Sequence, residues 1–287
     1  MKKRNLVLSV MATCLVSCFL LSGCNGQKQI DSETVKTVKV EEQAHLQDDT
    51  VSPTCQITID YSYLAKSDAA DSIVQRINRT IQAHILGKEY TRMNPEVAVD
   101  SFKNTYINNY RKDVNEFYQE DIKNGTPKDE LPTWYNYEYG LTTYFSEGKE
   151  GILNFIAETF EYTGGAHPNS WNKWMNFEKN TGKLLALKDV FMAGSEKPIS
   201  DMLLEELITE MATRLEDSSI TSLEGLQNAG ILNSTNMYVP DNFLLEKEKV
   251  SFLYNKYDIA PYAVGIITLS LPYTSAEKYI CLLYTSP

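Results

Sequence analysis

The sequence predicts an α+β protein, with antiparallel sheets and helices packed on one face, arranged as two successive small domains. Apolar residues recur at helical spacing between residues 68 and 125. From Trp134 onward the period changes to two, with turn signals between the runs. Tyrosine, at 18 residues, suits sheet faces that are half buried and half wet.

Taken in order, residues 25–53 are polar apart from an alternating patch at Val35, Val38 and Val40. With Cys24 they read as a tether (24–53) whose one candidate element is an edge strand. Residues 56–64 place Ile57, Ile59, Tyr61 and Tyr63 on one face, the pattern of a strand. Asp68 fits a helix N-cap, after which Ala70, Ile73, Ile77, Ile81 and Ile85 repeat at helical spacing until Gly87. Pro95 opens a longer helix with a stripe of Val99, Phe102, Tyr106, Tyr110, Val114 and Phe117, ended by Gly125 and Pro127. Gly, Pro and charge cluster near residues 125–133, so a domain boundary is expected there, giving 54–128 and 129–280.

Beyond it Tyr135, Tyr137, Tyr139, Leu141, Thr143 and Phe145 alternate on one strand. A turn at 147–149, a strand at 152–162, a third at 171–177 and a turn at 180–182 follow. Leu203, Leu204, Leu207, Met211 and Leu215 mark a helix beginning near Ser200, and a loop holding Gly225 and Gly230 succeeds it. Val250, Phe252 and Tyr254 alternate in a further strand, and 264–271 is an almost unbroken apolar run.

The N-terminus bears on location. Lys2, Lys3 and Arg4 precede an apolar run over 6–21 that closes on Leu21-Ser22-Gly23-Cys24. This reads as a signal peptide, residues 1–23, and its ending resembles a bacterial lipobox. The resemblance implies cleavage before Cys24, lipidation of its nucleophilic sulfur, and tethering outside the cytoplasm to the cell membrane or an outer membrane. The competing readings are an ordinary signal peptide and a single membrane span; the span needs about 20 apolar residues, and this run is short for that.

The formal charge is −11, and loss of three cations with the signal would leave −14. An acidic surface of this size argues against nucleic acid, whose phosphates need Lys and Arg, and favours a cationic partner through steering. Solubility is the plainer reading. After the signal and Cys24 only Cys55 and Cys281 remain, which allows one disulfide but no cysteine framework or cysteine metal site. Residues 281–287 do not continue the preceding pattern and read as a non-native tail.

One segment is unusual: Tyr162-Thr163-Gly164-Gly165-Ala166-His167-Pro168-Asn169. Its glycines permit backbone closed to other residues, and Pro168 restrains His167, so a rigid loop is expected between two strands. Tyr162, Thr163, Gly164, Gly165, His167 and Asn169, with Trp171 just beyond, form the candidate binding loop. The competing role for His167 is to hold the loop by bonding backbone. No HExxH, GxSxG, P-loop or dinucleotide fingerprint accompanies it, so neither a metal site nor a cofactor is implied. Asp189 and Asp258, near strand ends, are the carboxylates an acid–base partner would come from. Trp171 and Trp174, three apart, should face opposite sides of their strand.

The loop, together with Tyr257-Asp258-Ile259-Ala260-Pro261-Tyr262-Ala263-Val264-Gly265, resembles a bacterial family that pairs two extracytoplasmic domains of unknown function. Its N-terminal domain is the smaller, and the C-terminal one carries a TGGAH-type loop. The pair forms the outer part of lysozyme-sensing anti-sigma factors, precedes some peptidoglycan deacetylase domains, and makes up lipoproteins of no assigned role. The resemblance spans roughly residues 50–280 and implies the fold and a propensity to bind. It implies no catalysis, since the Asp-Asp and His-x-x-x-His motifs of the deacetylases are missing. The expected function is therefore a non-catalytic envelope lipoprotein, held to a membrane by its lipid, that binds a lysozyme-like cationic protein or a cell-wall glycan. The alternatives are a glycan- or peptidoglycan-acting enzyme using His167, and a structural envelope protein.

Overall fold

A computed structural model describes residues 35–65 and 71–281. The signal, Cys24, the Asp68 cap and residues 282–287 lie outside the described residues. No described helix is long and apolar enough to cross a membrane.

The first sheet has five strands in sequence order. These are β1 (Val35–His45), β2 (Thr54–Leu64), β3 (Tyr137–Glu147), β4 (Ile152–Tyr162) and β5 (Asn169–Glu178). All neighbours are antiparallel except β2 and β3, which run parallel from the Cys55–Tyr137 pair onward. A parallel neighbour demands a long crossover. Here α1 (Asp71–Ile85) and α2 (Pro95–Lys123) supply it.

Both helices pack on the face presented by Ile57, Ile59, Tyr61, Tyr139, Leu141 and Phe155. From α1 come Val74, Ile77 and Ile81, and from α2 Val99, Ile107, Tyr110, Val114 and Tyr118. Asn94 caps α2 by accepting from the Glu96 N–H, ahead of Pro95 at the first helical position.

Three expectations need correction here. Within the tether, the candidate edge strand at Val35, Val38 and Val40 extends over all of residues 35–45, paired along its length from Val35–Leu64 to His45–Thr54. Polar residues alternate on its open side, which hides its full length from a search for apolar runs. The division at 128 and 129 runs through this sheet, because β2 and β3 bond across it and share one core. Phe117 is 54% exposed and meets Trp134 edge to face at 5.9 Å, while Tyr118, one residue on, takes the core position.

The second core lies under a three-stranded antiparallel sheet, β6 (Phe243–Leu245), β7 (Lys249–Tyr254) and β8 (Ile267–Pro272). Short helix α3 (Leu187–Val190) leads to α4 (Glu196–Arg214), whose Ile199, Leu203, Leu207 and Met211 pack with Phe243, Phe252 and Leu269. Leu215, expected on that stripe, lies past the helix and is exposed. The expected loop around Gly225 instead contains α5 (Leu223–Asn228), and α6 (Tyr273–Ala276) follows β8. Strand β6, three residues long, carries too little periodicity to be read from sequence.

The two cysteines are both free: Cys55 is buried in the first core, and Cys281 is tied to the second by its N–H to the Val190 carbonyl. Burial pushes the Cys55 thiol up to about 12, so it is inert at neutral pH.

Asparagine amides join the two sheets. The Asn176 side chain donates to the Phe243 carbonyl at 2.8 Å and accepts from the Leu245 N–H at 2.7 Å. Asn154 donates to the Leu245 carbonyl at 3.2 Å. On the outer edge of β5, Asn255 accepts from the Asn172 N–H and Asn242 from the Trp174 N–H, while both amides donate back to the Asn172 carbonyl.

Replacing Asn176 with Ala removes two buried bonds and strands the Leu245 N–H. Denaturant titration should show a loss of roughly 2–4 kcal/mol. A loss within about 0.5 kcal/mol, the range of ordinary surface changes, would mean the sheets are held by other contacts.

Candidate functional site

The candidate loop begins where β4 ends at Tyr162 and closes where β5 opens at Asn169. Thr163, Gly165, Ala166 and His167 are exposed along the bend. Gly164 is the residue the turn cannot replace. Its φ is +83°, and a Cβ there would lie 2.3 Å from the Trp134 carbonyl oxygen. Gly165 has no such constraint. Asn169 accepts from the Ser170 N–H, and so shapes the start of β5.

His167 is held at both ring nitrogens. Nδ1 lies 3.1 Å from the Pro168 carbonyl, which can only accept, so Nδ1 carries the proton. In the neutral ring Nε2 then accepts from the Tyr257 hydroxyl, also at 3.1 Å. The ring stacks on Tyr262 at 3.8 Å, and the Tyr262 hydroxyl donates to the Pro168 carbonyl at 2.7 Å. Lys256 lies over the other ring contact, 4.2 Å from the Tyr262 centroid, and donates to the Ser170 hydroxyl. The two segments that carry the family resemblance, distant in the chain, therefore meet in one exposed aromatic cluster.

Tyr257 sits at φ +71°, a conformation that costs a non-glycine residue roughly 1 kcal/mol or more. The turn around it is tied by Asp258, whose carboxylate accepts from the Asn255 N–H while its own N–H donates to the Asn255 carbonyl. Asp189, the other candidate carboxylate, is ion-paired with Lys183 at 2.6 Å and accepts from the Ala186 N–H. Those contacts hold it below the usual carboxylate range. Neither Asp is hydrogen-bonded to His167.

Beside the loop, a cleft of about 320 Å³ opens at the junction of the two sheets. Trp171, Lys173, His84, Tyr238, Asp241 and Asp258 line it. Trp171 shares the face of Tyr139 and Thr159, whereas Trp174 lies on the opposite face, in a groove with Tyr144 and Leu253. The expected split of the two tryptophans is thus realised, and it puts one at each sheet junction. Partial burial, with Lys173 and Lys88 nearby, lowers the pKa of His84. Among the described residues no group of three or more His, Cys, Asp or Glu is placed to hold a metal ion.

The sequence reading finds Trp171 and the loop but misses His84, Lys173 and Asp241, which have no motif. For Tyr257 and Tyr262 a signal exists, since both stand in the second resembling segment.

Comparison with known proteins defines the class of the chain. Residues 50–170 match the family model described as "Deacetylase PdaC", and residues 188–274 match that described as "Protein of unknown function (DUF3298)". The first match takes in the loop at 162–169, and the second begins past it. A crystal structure of a DUF3298-family member from Bacteroides fragilis is 29% identical, with a TM-score of 0.79, covering 88% of this chain and 96% of that one. A DUF3298-family protein from Pseudomonas aeruginosa shares the fold at 16% identity and a TM-score of 0.59, with the same coverage. No curated protein matches the chain. The N-terminal part of the chain is thus similar to one of these families and the C-terminal part to the other; the TGGAH-type loop falls in the N-terminal match, not in the C-terminal domain where the resemblance places it.

Two outcomes test this geometry. Gly164→Ala should lower stability by about 1–3 kcal/mol, while Gly165→Ala should stay within about 0.5, as read by denaturant unfolding. Equal effects would remove the turn constraint. The depressed pKa makes folded His84 take up a proton less readily than the unfolded chain, whose imidazole titrates near pH 6.5, so stability falls as pH drops through that value. Between about pH 7.5 and 5.5, His84→Gln should show a shallower decline in unfolding free energy than the parent.

Proposed function

We propose that the protein is a non-catalytic, lipid-anchored component of the bacterial cell envelope that binds an extracytoplasmic ligand at the junction cleft. The observation that supports this reading is the cleft itself: it opens beside the aromatic cluster and offers the Trp171 indole with Lys173 and Asp241 around it. An aromatic face flanked by polar side chains suits a sugar ring, whose C–H face stacks while its hydroxyls bond outward. A cell-wall glycan is therefore the favoured ligand. Against catalysis stands His167, whose nitrogens are both bonded within the loop cluster, with no carboxylate to orient it.

A second reading rests on charge. With a formal charge of −11, the surface favours a cationic protein such as a lysozyme-like enzyme, drawn in by long-range steering.

The chain freed of its first 24 residues should be titrated with soluble glycan fragments and with lysozyme, at low and high salt. Glycan binding that quenches tryptophan fluorescence and is lost in Trp171→Ala supports the cleft. Saturable lysozyme binding that weakens steeply with salt, and survives Trp171→Ala, supports the second reading. Absence of both overturns the binding function.

A further inference from the structure

A second cavity, of about 480 Å³, lies between α1, the start of α2 and the adjoining ends of β1 and β2. Its charge is opposite to that of the chain. Lys36 of β1, Arg79 of α1 and Arg92 of the turn before α2 line it, against a single carboxylate, Glu96. Glu96 is already engaged, accepting from the Tyr63 hydroxyl at 2.5 Å.

The other arginines among the described residues are partnered. Arg76 donates to the Thr181 carbonyl, Arg111 to that of His45, and Arg214 pairs with Glu210. Among the described residues Arg79 and Arg92 have no hydrogen-bond or ion-pair partner, and neither has Lys36; all three line this one cavity. A chain with 38 acidic residues has ample means to pair them. Three like charges gathered against one carboxylate that is already engaged form a field that a bound anion would complement. Asn94 and Pro95, which begin the 29-residue α2, also line the cavity, so the positive end of that helix adds to the field.

The remaining wall is rigid and mixed. The Asn78 amide is tied to both the N–H and the carbonyl of Leu64, and the Gln82 amide donates to the Tyr90 and Met93 carbonyls. Val74 and Met93 supply apolar surface. We propose that this cavity binds an organic phosphate, with Lys36, Arg79 and Arg92 on the phosphate oxygens and the attached polyol or sugar along the amide and apolar wall. Cations arriving from three separate elements suit a tetrahedral phosphate, whose oxygens accept from several sides; a planar carboxylate is satisfied by one guanidinium fork.

The phosphate could belong to a soluble molecule or to a phospholipid headgroup. Lys36 is 12 residues beyond Cys24, a reach of at most about 40 Å of extended chain. The site does not depend on the junction cleft.

The full chain, in a non-ionic detergent, should be titrated calorimetrically with glycerol 3-phosphate. In parallel it should be titrated with micelles doped with phosphatidylglycerol or, for reference, with phosphatidylcholine, whose headgroup has no net charge. Saturable binding to glycerol 3-phosphate, or preference for phosphatidylglycerol, is expected, the first indicating a soluble source and the second a headgroup. Arg79→Gln and Arg92→Gln should each weaken it at least about tenfold, as loss of a charge-assisted bond requires. Lys112→Gln, an exposed cation elsewhere on α2, and Trp171→Ala should leave it unchanged. Because the two arginines are exposed, their variants should keep the parent melting temperature, and Lys36→Gln is the substitute should either lose it. Binding of neither probe, binding the variants retain, or micelle binding that does not distinguish the lipids would overturn the proposal.

Discussion

The edge of β5 is the constraint on which the rest of the structure depends. A sheet edge carries unpaired N–H and carbonyl groups, and burying them without partners is costly. Here the amides of Asn242 and Asn255 close that edge, and the buried Asn154 and Asn176 amides tie the sheet face to the β6 backbone. An amide both donates and accepts, so it can substitute for a missing strand without bringing charge into the junction. These bonds place β6 and β7 beside β4 and β5, and two cores become one molecule.

The same junction makes the candidate site. Because Asn255 is anchored to β5, the residues directly after it, Lys256 to Tyr262, lie against the loop that precedes β5. His167 then bonds Tyr257 and stacks on Tyr262, and the cleft lined by Trp171 opens alongside. His167 consequently serves as a structural pin between the two segments. The strained backbone of Tyr257 sits at this contact, where the surrounding bonds can hold it.

Charge is unevenly spread. About half of the cations in the described residues are neutralised by a carboxylate or lie over an aromatic ring, as Lys103, Lys183 and Lys256 do. The cavity beside α1 gathers three of the others, and α1 runs between it and the junction cleft, lining one with Arg79 and the other with His84. Two cavities of different lining thus share one helix.

What was legible in the sequence follows from period and local chemistry. The α+β class, the stripes of α1 and α2, the long strands β2 to β5, the opposed tryptophans and the rigid glycine loop all rest on spacing that a few neighbouring residues impose. The full length of β1, read only as a candidate edge strand at Val35, Val38 and Val40, the three-residue β6, the inward turn of Tyr118 in place of Phe117, and the unity of the first sheet across residue 128 were not legible, since each depends on a partner distant in the chain. By itself the sequence determined which residues could form helix, strand and tight turn, because those preferences are local. Only the tertiary structure decided that Asn242 and Asn255 cap β5, that His167 meets Tyr257 and Tyr262, and that Lys36, Arg79 and Arg92 share a cavity, because such groupings exist only once distant strands and helices have packed.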